Sequence, residues 1–167
     1  VRQAMYLAID EATIIKNIMN GCAFEMNSII PEGYVGYAPV EREGYDPEKA
    51  KQFIMEGMAL QRERLSYQKE GFKILEKCGA YKEIDEEYKK QTAENQKNGR
   101  IQYYYVAALE KLERNEEAYH LLNDGDGIDV SDIREGDSDI QSIWESLHEK
   151  VYGEKGHLPH YYNFKVN

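Results

Sequence analysis

Apolar positions recur at helical spacing along most of this chain, and the segment YDPEKAKQFIMEG shows the pattern most clearly. Asp46 can accept hydrogen bonds from a first helical turn, and Pro47 suits the first helical position. Phe53 and Ile54 then fall on one face. The pattern predicts a helix that begins after Asp46, buries this face and ends at Gly57.

Helices are also predicted upstream of this segment. VRQAMYLAID has a helical pattern from its first residue, so we expect the chain to be a piece of a longer protein. In EATIIKNIMN, Asp10 stands before the helix as an N-cap and Gly21 follows it. The apolar stripe of this helix consists of Ile14, Ile15, Ile18 and Met19. CAFEMNSIIPEGYVGYAPVEREG has glycines, prolines and short apolar runs, which predict a loop with room for one short strand.

From Met58 to Asn123 the pattern is helical and contains no proline. ALQRERLSYQKEGFKILEKCG predicts one helix, whose inward-facing residues are Leu65, Phe72, Leu75 and Cys78. YKEIDEEYKKQTAENQKNG predicts another, which carries Tyr81, Ile84 and Tyr88 on one side. RIQYYYVAALEKLERNEEAYHLLND predicts two antiparallel helices joined near residues 113–115.

A last helix is predicted in SDIQSIWESLHEKVYG, before an extended aromatic tail. Its apolar face consists of Ile140, Ile143, Trp144, Leu147 and Val151. These patterns together predict a mostly α fold with a loop-rich N-terminal third. Trp144 lies on the apolar face, so we interpret it as a packing residue.

The charge balance excludes one class of partner. The formal net charge is −10, and the charged segments mix both signs along helices. A nucleic-acid backbone would be repelled by this field, so we expect no nucleic-acid binding. No apolar run approaches the roughly 20 residues that a membrane helix needs, so we expect no membrane insertion.

Candidate metal and catalytic residues give weak patterns. NDGDGIDVSD does not place oxygen ligands at the offsets of a calcium loop, so we interpret it as a polar turn. His157 and His160 flank Pro159, which argues against a shared zinc site. Ser131 and Ser138 have no nucleophile elbow or nearby histidine. We therefore expect no enzyme activity, no metal and no cofactor.

The two cysteines, Cys22 and Cys78, have no metal or redox spacing. Two buried thiols are one interpretation. A single disulfide is the alternative if the chain is exported.

Residues 1–57 resemble the family five extracellular solute-binding proteins, the receptors of dipeptide, oligopeptide and nickel ABC importers. The blocks VRQAMYLAID, IIKNIMNG, SIIPEG and YDPEKAKQFI carry the resemblance, in this order. This sequence departs from the family pattern at Glu32, where the family usually has a second proline. The resemblance implies a part of one receptor lobe, a peptide or small solute as ligand, and an extracytoplasmic location. It assigns no ligand-contacting residue here.

Residues 60–167 carry two further resemblances. YYYVAALEKLERNEEAYHLL is similar to a tetratricopeptide unit, with Ala118 where the repeat has a small residue. VSDIREGDSDIQSIWESLHEKVYGEKGHLPHYYNFKVN resembles the C-terminal end of a bacterial family of unknown function. Those proteins carry tetratricopeptide repeats behind a carbohydrate-related domain. The resemblances imply a protein–protein interaction module and a cytoplasmic location.

The sequence thus predicts two parts, residues 1–57 and residues 58–167. We expect a non-enzymatic binding protein that takes a peptide or small solute, with a cleft that is incomplete in this chain. The alternative is an interaction scaffold in which the helical module binds a protein partner. Tyr103, Tyr104 and Tyr105 could form the floor of its peptide groove, or they could be the core and rim of a helix pair.

Overall fold

The described part of the chain contains nine α-helices and one short 3₁₀ helix, joined by turns and loops, in the computed structural model. It describes residues 2–41, 43–125, 127–131, 133 and 140–162. The helices are α1 Arg2–Leu7, α2 Glu11–Asn17, α3 Pro47–Leu60, α4 Leu65–Lys77, α5 Tyr81–Lys89, α6 Ala93–Gln96, α7 Gly99–Lys111, α8 Asn115–Asn123, α9 Ile140–Tyr152 and the 3₁₀ helix His160–Tyr162.

The mostly α fold is confirmed, and the described residues contain no strand. The helix starts predicted from caps are also confirmed. Asp10 accepts a hydrogen bond from the Thr13 amide at 2.9 Å, and Asp46 accepts one from the Lys49 amide at 3.0 Å. The short strand predicted between Gly21 and Asp46 is wrong, because that segment is irregular wherever it is described.

One connected hydrophobic core runs from α1 to the 3₁₀ helix. In chain order, α1 packs on α3, α3 on α4, α4 on α5 and α7, α7 on α8, and α8 on α9. Ala4, Ile54 and Met58 join this core from the N-terminal part, and each is fully buried. Residues on both sides of position 57 therefore share one core; the proposed division at this position stays a prediction.

The predicted stop at Gly57 is wrong, because α3 continues to Leu60. The helix predicted from Ala59 onward is confirmed as α4, but its predicted start is wrong, because a turn at residues 61–64 precedes Leu65. The reason is a buried side chain: the amide of Gln68 donates to the carbonyl oxygens of Met58 at 3.0 Å and Gln61 at 2.8 Å. These bonds satisfy carbonyl groups that the end of α3 leaves free.

A buried network of amide side chains holds this turn against the next helices. Gln91 donates to Gln68 at 2.9 Å, and Asn95 donates to Gln91 and to the Arg62 carbonyl, each at 3.0 Å. The helix predicted across residues 81–99 is accordingly broken into α5 and α6, with Thr92 capping the second of them.

The two helices predicted on either side of residues 113–115 are confirmed as α7 and α8. Ala118 is fully buried at their contact, where a small residue permits close approach. Glu113 lies in the connecting turn with a φ of +61°. The last helix is confirmed as α9, and Ile140, Ile143, Trp144 and Leu147 are buried. The predicted start of this helix at Ser138 lies outside the described residues.

Candidate functional site

A groove of about 440 Å³ lies in the N-terminal part of the chain, and we call it the N-terminal groove. It is lined by Tyr6, residues 9–12, 25–27 and 39–41, Gly44 and Tyr45. The groove thus joins the end of α1 and the start of α2 to two segments of the irregular loop. Every lining residue lies before α3.

Backbone and side-chain hydrogen bonds hold these segments together. The Val40 amide donates to the Asn27 carbonyl at 2.8 Å, and the Tyr37 hydroxyl lies 3.1 Å from the Asn27 side-chain oxygen. The Asp46 amide donates to the Leu7 carbonyl at 2.9 Å, which fixes the start of α3 beside the end of α1. The loop is therefore tied to the helices at its far end and to itself in the middle.

The lining combines apolar surface with carboxylates. The apolar and aromatic side chains are well exposed: Ile9 is 47%, Met26 46%, Val40 62% and Tyr45 52% accessible. The acidic side chains are Asp10, Glu11, Glu25 and Glu41. No Lys, Arg or His belongs to the lining among the residues that the structure describes. Among the described lining residues, acidic side chains thus lie beside exposed apolar surface.

Asp10 has a structural task in this lining. Its second carboxylate oxygen lies 2.7 Å from the Thr13 hydroxyl, so both oxygens are engaged by Thr13. The bond from the Thr13 amide, followed by the one from its hydroxyl, lowers the pKa of Asp10. Asp10 is therefore a carboxylate at neutral pH and fixes the first turn of α2.

The apolar stripe predicted on α2 is present but has no covering element in the described structure. No residue of α2 is buried, and Ile18 and Met19 just beyond it are 72% and 46% accessible. Phe24, Ile29 and Val35 in the following loop are also exposed. Sequence periodicity indicated an amphipathic helix correctly, but it could not indicate what would cover the apolar side.

The tyrosines predicted as an interaction surface occupy two kinds of position. Tyr104 and Tyr105 are buried, whereas Tyr103 is half-buried. Tyr105 stacks on Tyr88 with ring centres 3.8 Å apart. This burial favours the alternative of core and rim packing, and Tyr103 is the one with more accessible surface. An interaction role for the three residues stays a prediction.

The Tyr105 hydroxyl belongs to a charged network. It lies 3.2 Å from both Asp85 and Glu117, and the Arg114 guanidinium contacts Asp85 at 2.8 Å. Burial, followed by the charges of Glu117 and Asp85, raises the pKa of Tyr105 well above its usual value. Tyr105 therefore stays neutral and links α5, α7 and α8.

A second depression of about 420 Å³ lies beside the turn between α7 and α8. Its lining consists of residues 113–117 with Lys150 and Val151. Two of its cations are already paired, because Arg114 contacts Glu117 at 2.5 Å and Lys150 contacts Glu110 at 2.7 Å. The Asn115 side-chain oxygen is buried without a hydrogen-bond partner. We regard this depression as the weaker candidate.

The burial of the two cysteines agrees only in part with the prediction, and the two histidines of the C-terminal tail lie at the surface. Cys22 is exposed, so the prediction of two buried thiols is wrong for it; Cys78 is half-buried, and burial raises its pKa. The structure records both as free. His157 and His160 are exposed. Within the described ranges, no group of three or more His, Cys, Asp or Glu side chains has the arrangement of a metal site.

Two other predictions fall partly beyond the described ranges. The acidic turn NDGDGIDVSD includes two positions, 126 and 132, that the structure does not describe, and Ser138 is not described either. None of the described helices has the length and apolar character needed to cross a membrane.

Sequence reasoning singled out Asp10 only as a helix cap and did not identify the other groove residues or bring them together. Tyr6, Glu25, Glu41 and Tyr45 are separated by up to 39 positions and follow no common periodicity. A usable signal was the density of acidic and aromatic residues in the loop before Asp46, together with its scarcity of lysine.

Comparison with known protein families finds a match for the part of the chain that contains the N-terminal groove. The family model of bacterial extracellular solute-binding proteins, family 5 Middle, matches residues 1–64. No curated protein and no solved structure matches the chain. The matched segment includes the whole N-terminal groove, α3 and the turn that follows it.

Proposed function

We propose that residues 1–64 form part of a non-enzymatic solute receptor and that the N-terminal groove is one wall of its solute site. The observation that carries this proposal is that the groove and the family match occupy the same part of the chain. All lining residues of the groove, from Tyr6 to Tyr45, lie inside the segment that is similar to the solute-binding family. On this proposal the chain works outside the cytoplasm and hands a peptide or small solute to an ABC importer.

The size and openness of the groove set the expected affinity. A volume of about 440 Å³ suits a small ligand. Receptor sites usually cover about 70–90% of such a ligand. Here Val40 and Tyr45 are more than half exposed, so a solute resting on them keeps much of its surface in water. We expect weak binding by this wall and tight binding only when a second wall covers the solute.

Saturation-transfer NMR with a mixture of dipeptides and tripeptides tests the proposal, since this method detects weak binding. We expect transfer to peptide protons that is reduced in Tyr45→Ala. Tyr34→Ala is the matched control, because Tyr34 is 70% exposed and lies outside the groove. Equal transfer in wild type and Tyr45→Ala, or none at all, would contradict the proposal. Submicromolar binding would contradict the single-wall view.

A second candidate function is a scaffold that binds a protein partner through a tetratricopeptide-like module. The packed pair α7 and α8, with fully buried Ala118 at its contact, favours it. Helix α9 packs on α8 as the next layer. One helix pair alone is short of the roughly three repeats that such arrays need. The surrounding helices would have to supply the rest of the binding surface.

The scaffold proposal is tested by affinity capture with the full chain and with Tyr103→Ala. A partner that is retained by wild type and by Tyr34→Ala but is lost from Tyr103→Ala would support it. Capture that is the same with all three proteins would count against it.

A further inference from the structure

We infer that the C-terminal tail, residues 153–162, is a detachable peptide ligand of the chain itself, and that the site it occupies also takes the tail of a second copy. The tail follows α9 and ends in the 3₁₀ helix His160–Tyr162. Its site lies at the end of α8, whereas every lining residue of the N-terminal groove precedes α3. The two sites are therefore separate.

Tyr162 anchors the tail. Its side chain is 1% exposed, and its hydroxyl donates to the Leu122 carbonyl at 2.6 Å and accepts from the Ile128 amide at 3.0 Å. Leu122 belongs to the last turn of α8, where carbonyl groups have no partner within a helix. Ile128 is buried, so its amide needs a partner from the protein. One hydroxyl thus serves two backbone groups, which favours tyrosine over phenylalanine at this position.

The surroundings of this hydroxyl are shaped to admit a tyrosine, and we call the Leu122 carbonyl, Gly127 and the Ile128 amide the tyrosine seat. A methyl group at Gly127 would lie 2.3 Å from the Tyr162 hydroxyl oxygen and 2.7 Å from the Leu122 carbonyl oxygen. Gly125 in the same turn has nearly the same φ, +66° against +69°, but a methyl group there meets no atom within 4 Å. Glycine at position 127 therefore makes room for the tyrosine.

Asn123 connects the tail to Trp144. Its side-chain oxygen accepts the Trp144 indole N–H at 2.9 Å and lies 3.4 Å from the Tyr161 hydroxyl. Leu158 and Tyr161 also pack against the core. The tail thus meets α8 and α9 through side chains, as a bound peptide does. Because Trp144 is the single tryptophan of the chain, its fluorescence reports whether the tail is in place.

The connection between α9 and the anchor permits the tail to leave. Residues 153–155 and His157 are exposed, and residues 153–159 form no helix or strand. The Tyr162 amide donates to the Pro159 carbonyl at 3.0 Å, so this backbone bond lies within the tail and moves with it. Release therefore breaks side-chain contacts and leaves α9 intact. Identical elements of this kind are exchanged between copies in domain-swapped dimers.

A synthetic peptide of residues 156–162, GHLPHYY, tests whether the seat binds the tail in trans. The receptor is the full chain with Tyr162→Ala, which opens the seat. We expect saturable binding by Trp144 fluorescence, and at least about tenfold weaker binding to wild type, whose own tail competes at a high effective concentration. The same peptide with Tyr162→Phe should bind about tenfold more weakly, because it lacks the hydroxyl. The peptide with His157→Ala is the control and should bind like the original, since His157 is exposed.

Two variants of the full chain test exchange between copies. Tyr162→Ala has an open seat and no anchor, whereas Gly127→Ala has the anchor and a blocked seat. We expect each to be monomeric alone and their mixture to form a heterodimer in analytical ultracentrifugation, at concentrations above the Kd of the peptide. Gly125→Ala is the matched control, because it introduces alanine at a similar positive φ but leaves the seat open. It should keep its own tail and stay unpaired with Tyr162→Ala.

Absence of peptide binding by folded Tyr162→Ala overturns the inference, as does a mixture that stays monomeric. Circular dichroism shows whether each variant is folded. If Tyr162→Ala is unfolded, hydrogen exchange of the wild type decides: the Ile128 amide should exchange through opening of the tail, at least about tenfold faster than the buried amides of α7. Exchange of Ile128 at the same rate as those α7 amides would mean that the tail opens only with global unfolding, and the inference would be wrong.

Discussion

Substituting Gly99 by alanine should destabilise the protein, although alanine is the better helix former. Gly99 is the first residue of α7, and the chain crosses it closely at Asp129. A methyl group at Gly99 would lie 1.6 Å from the Asp129 carbonyl oxygen and 2.6 Å from its carbonyl carbon. Because the obstructing atoms are backbone, a change of side-chain rotamer cannot remove the clash.

The expected loss of unfolding free energy follows from the backbone groups that the new methyl group would displace. The Asp129 carbonyl would have to recede by roughly 2 Å to reach an ordinary contact distance. This displacement disturbs Ile128, which is 3% exposed and whose amide donates to the Tyr162 hydroxyl at 3.0 Å. Burial of an isoleucine contributes about 1.5–3 kcal/mol and the hydrogen bond about 1 kcal/mol. Helix propensity returns at most about 1 kcal/mol, so we expect a net loss of about 2 kcal/mol.

Urea unfolding followed by circular dichroism measures this loss, and thermal unfolding should show a drop of about 4–8 °C. Gly44→Ala is the matched control, because a methyl group there meets no atom within 4 Å and the backbone does not have a positive φ. We expect that control to change the free energy of unfolding by less than about 0.5 kcal/mol.

A double variant tests the reasoning behind the number. If the methyl group acts by displacing Ile128, then Gly99→Ala should cost clearly less in an Ile128→Ala background than in wild type. Full additivity would refute the proposed route. Wild-type stability of Gly99→Ala would refute the close approach of Asp129 itself.

Three other substitutions probe separate parts of the core. Ala118→Leu should lower the free energy of unfolding by about 1–3 kcal/mol, because the larger side chain overpacks the contact between α7 and α8. Ala59→Leu, at an exposed position, is the control and should be nearly neutral in the same urea assay. Gln91→Leu should cost about 1–3 kcal/mol in thermal or urea unfolding, because it leaves buried amide groups of its neighbours unpaired; a loss below about 0.5 kcal/mol would argue against the network. Burial raises the pKa of Tyr162 to about 12, from an ordinary value of 10.0. The folded state therefore holds this proton more tightly, and the stabilisation is complete below about pH 10 and disappears as the pH rises to about 12. Urea unfolding across this range should show a shallower pH dependence in Tyr162→Phe, and an unchanged dependence would be evidence against the burial effect.

Local sequence signals predicted helices well where the determinants lie within one or two turns. Asp46 and Pro47 fixed the start of α3, and the breaks around residues 113–115 separated α7 from α8. These signals are reliable because capping bonds and apolar periodicity involve neighbouring residues. The same reasoning placed Ile143, Trp144 and Leu147 on the buried side of α9.

Predictions failed where a helix end or the burial of a helix face depends on residues that are distant in the sequence. Nothing near Gln61 in the sequence marks a helix end there; the break depends on Gln68, which in turn is held by Gln91 and Asn95. The apolar stripe of α2 has correct spacing yet no residue of that helix is buried, because burial depends on a covering element and not on periodicity.

The sequence by itself determined the helical class, most of the helix starts and the resemblance of the first 57 residues to solute receptors. Only the tertiary structure decided that Tyr104 and Tyr105 are buried and that the carboxylates Glu25 and Glu41 share one groove. The physical reason is range. Backbone propensity and capping act over a few residues, whereas a groove is a property of segments that meet only after the chain has folded.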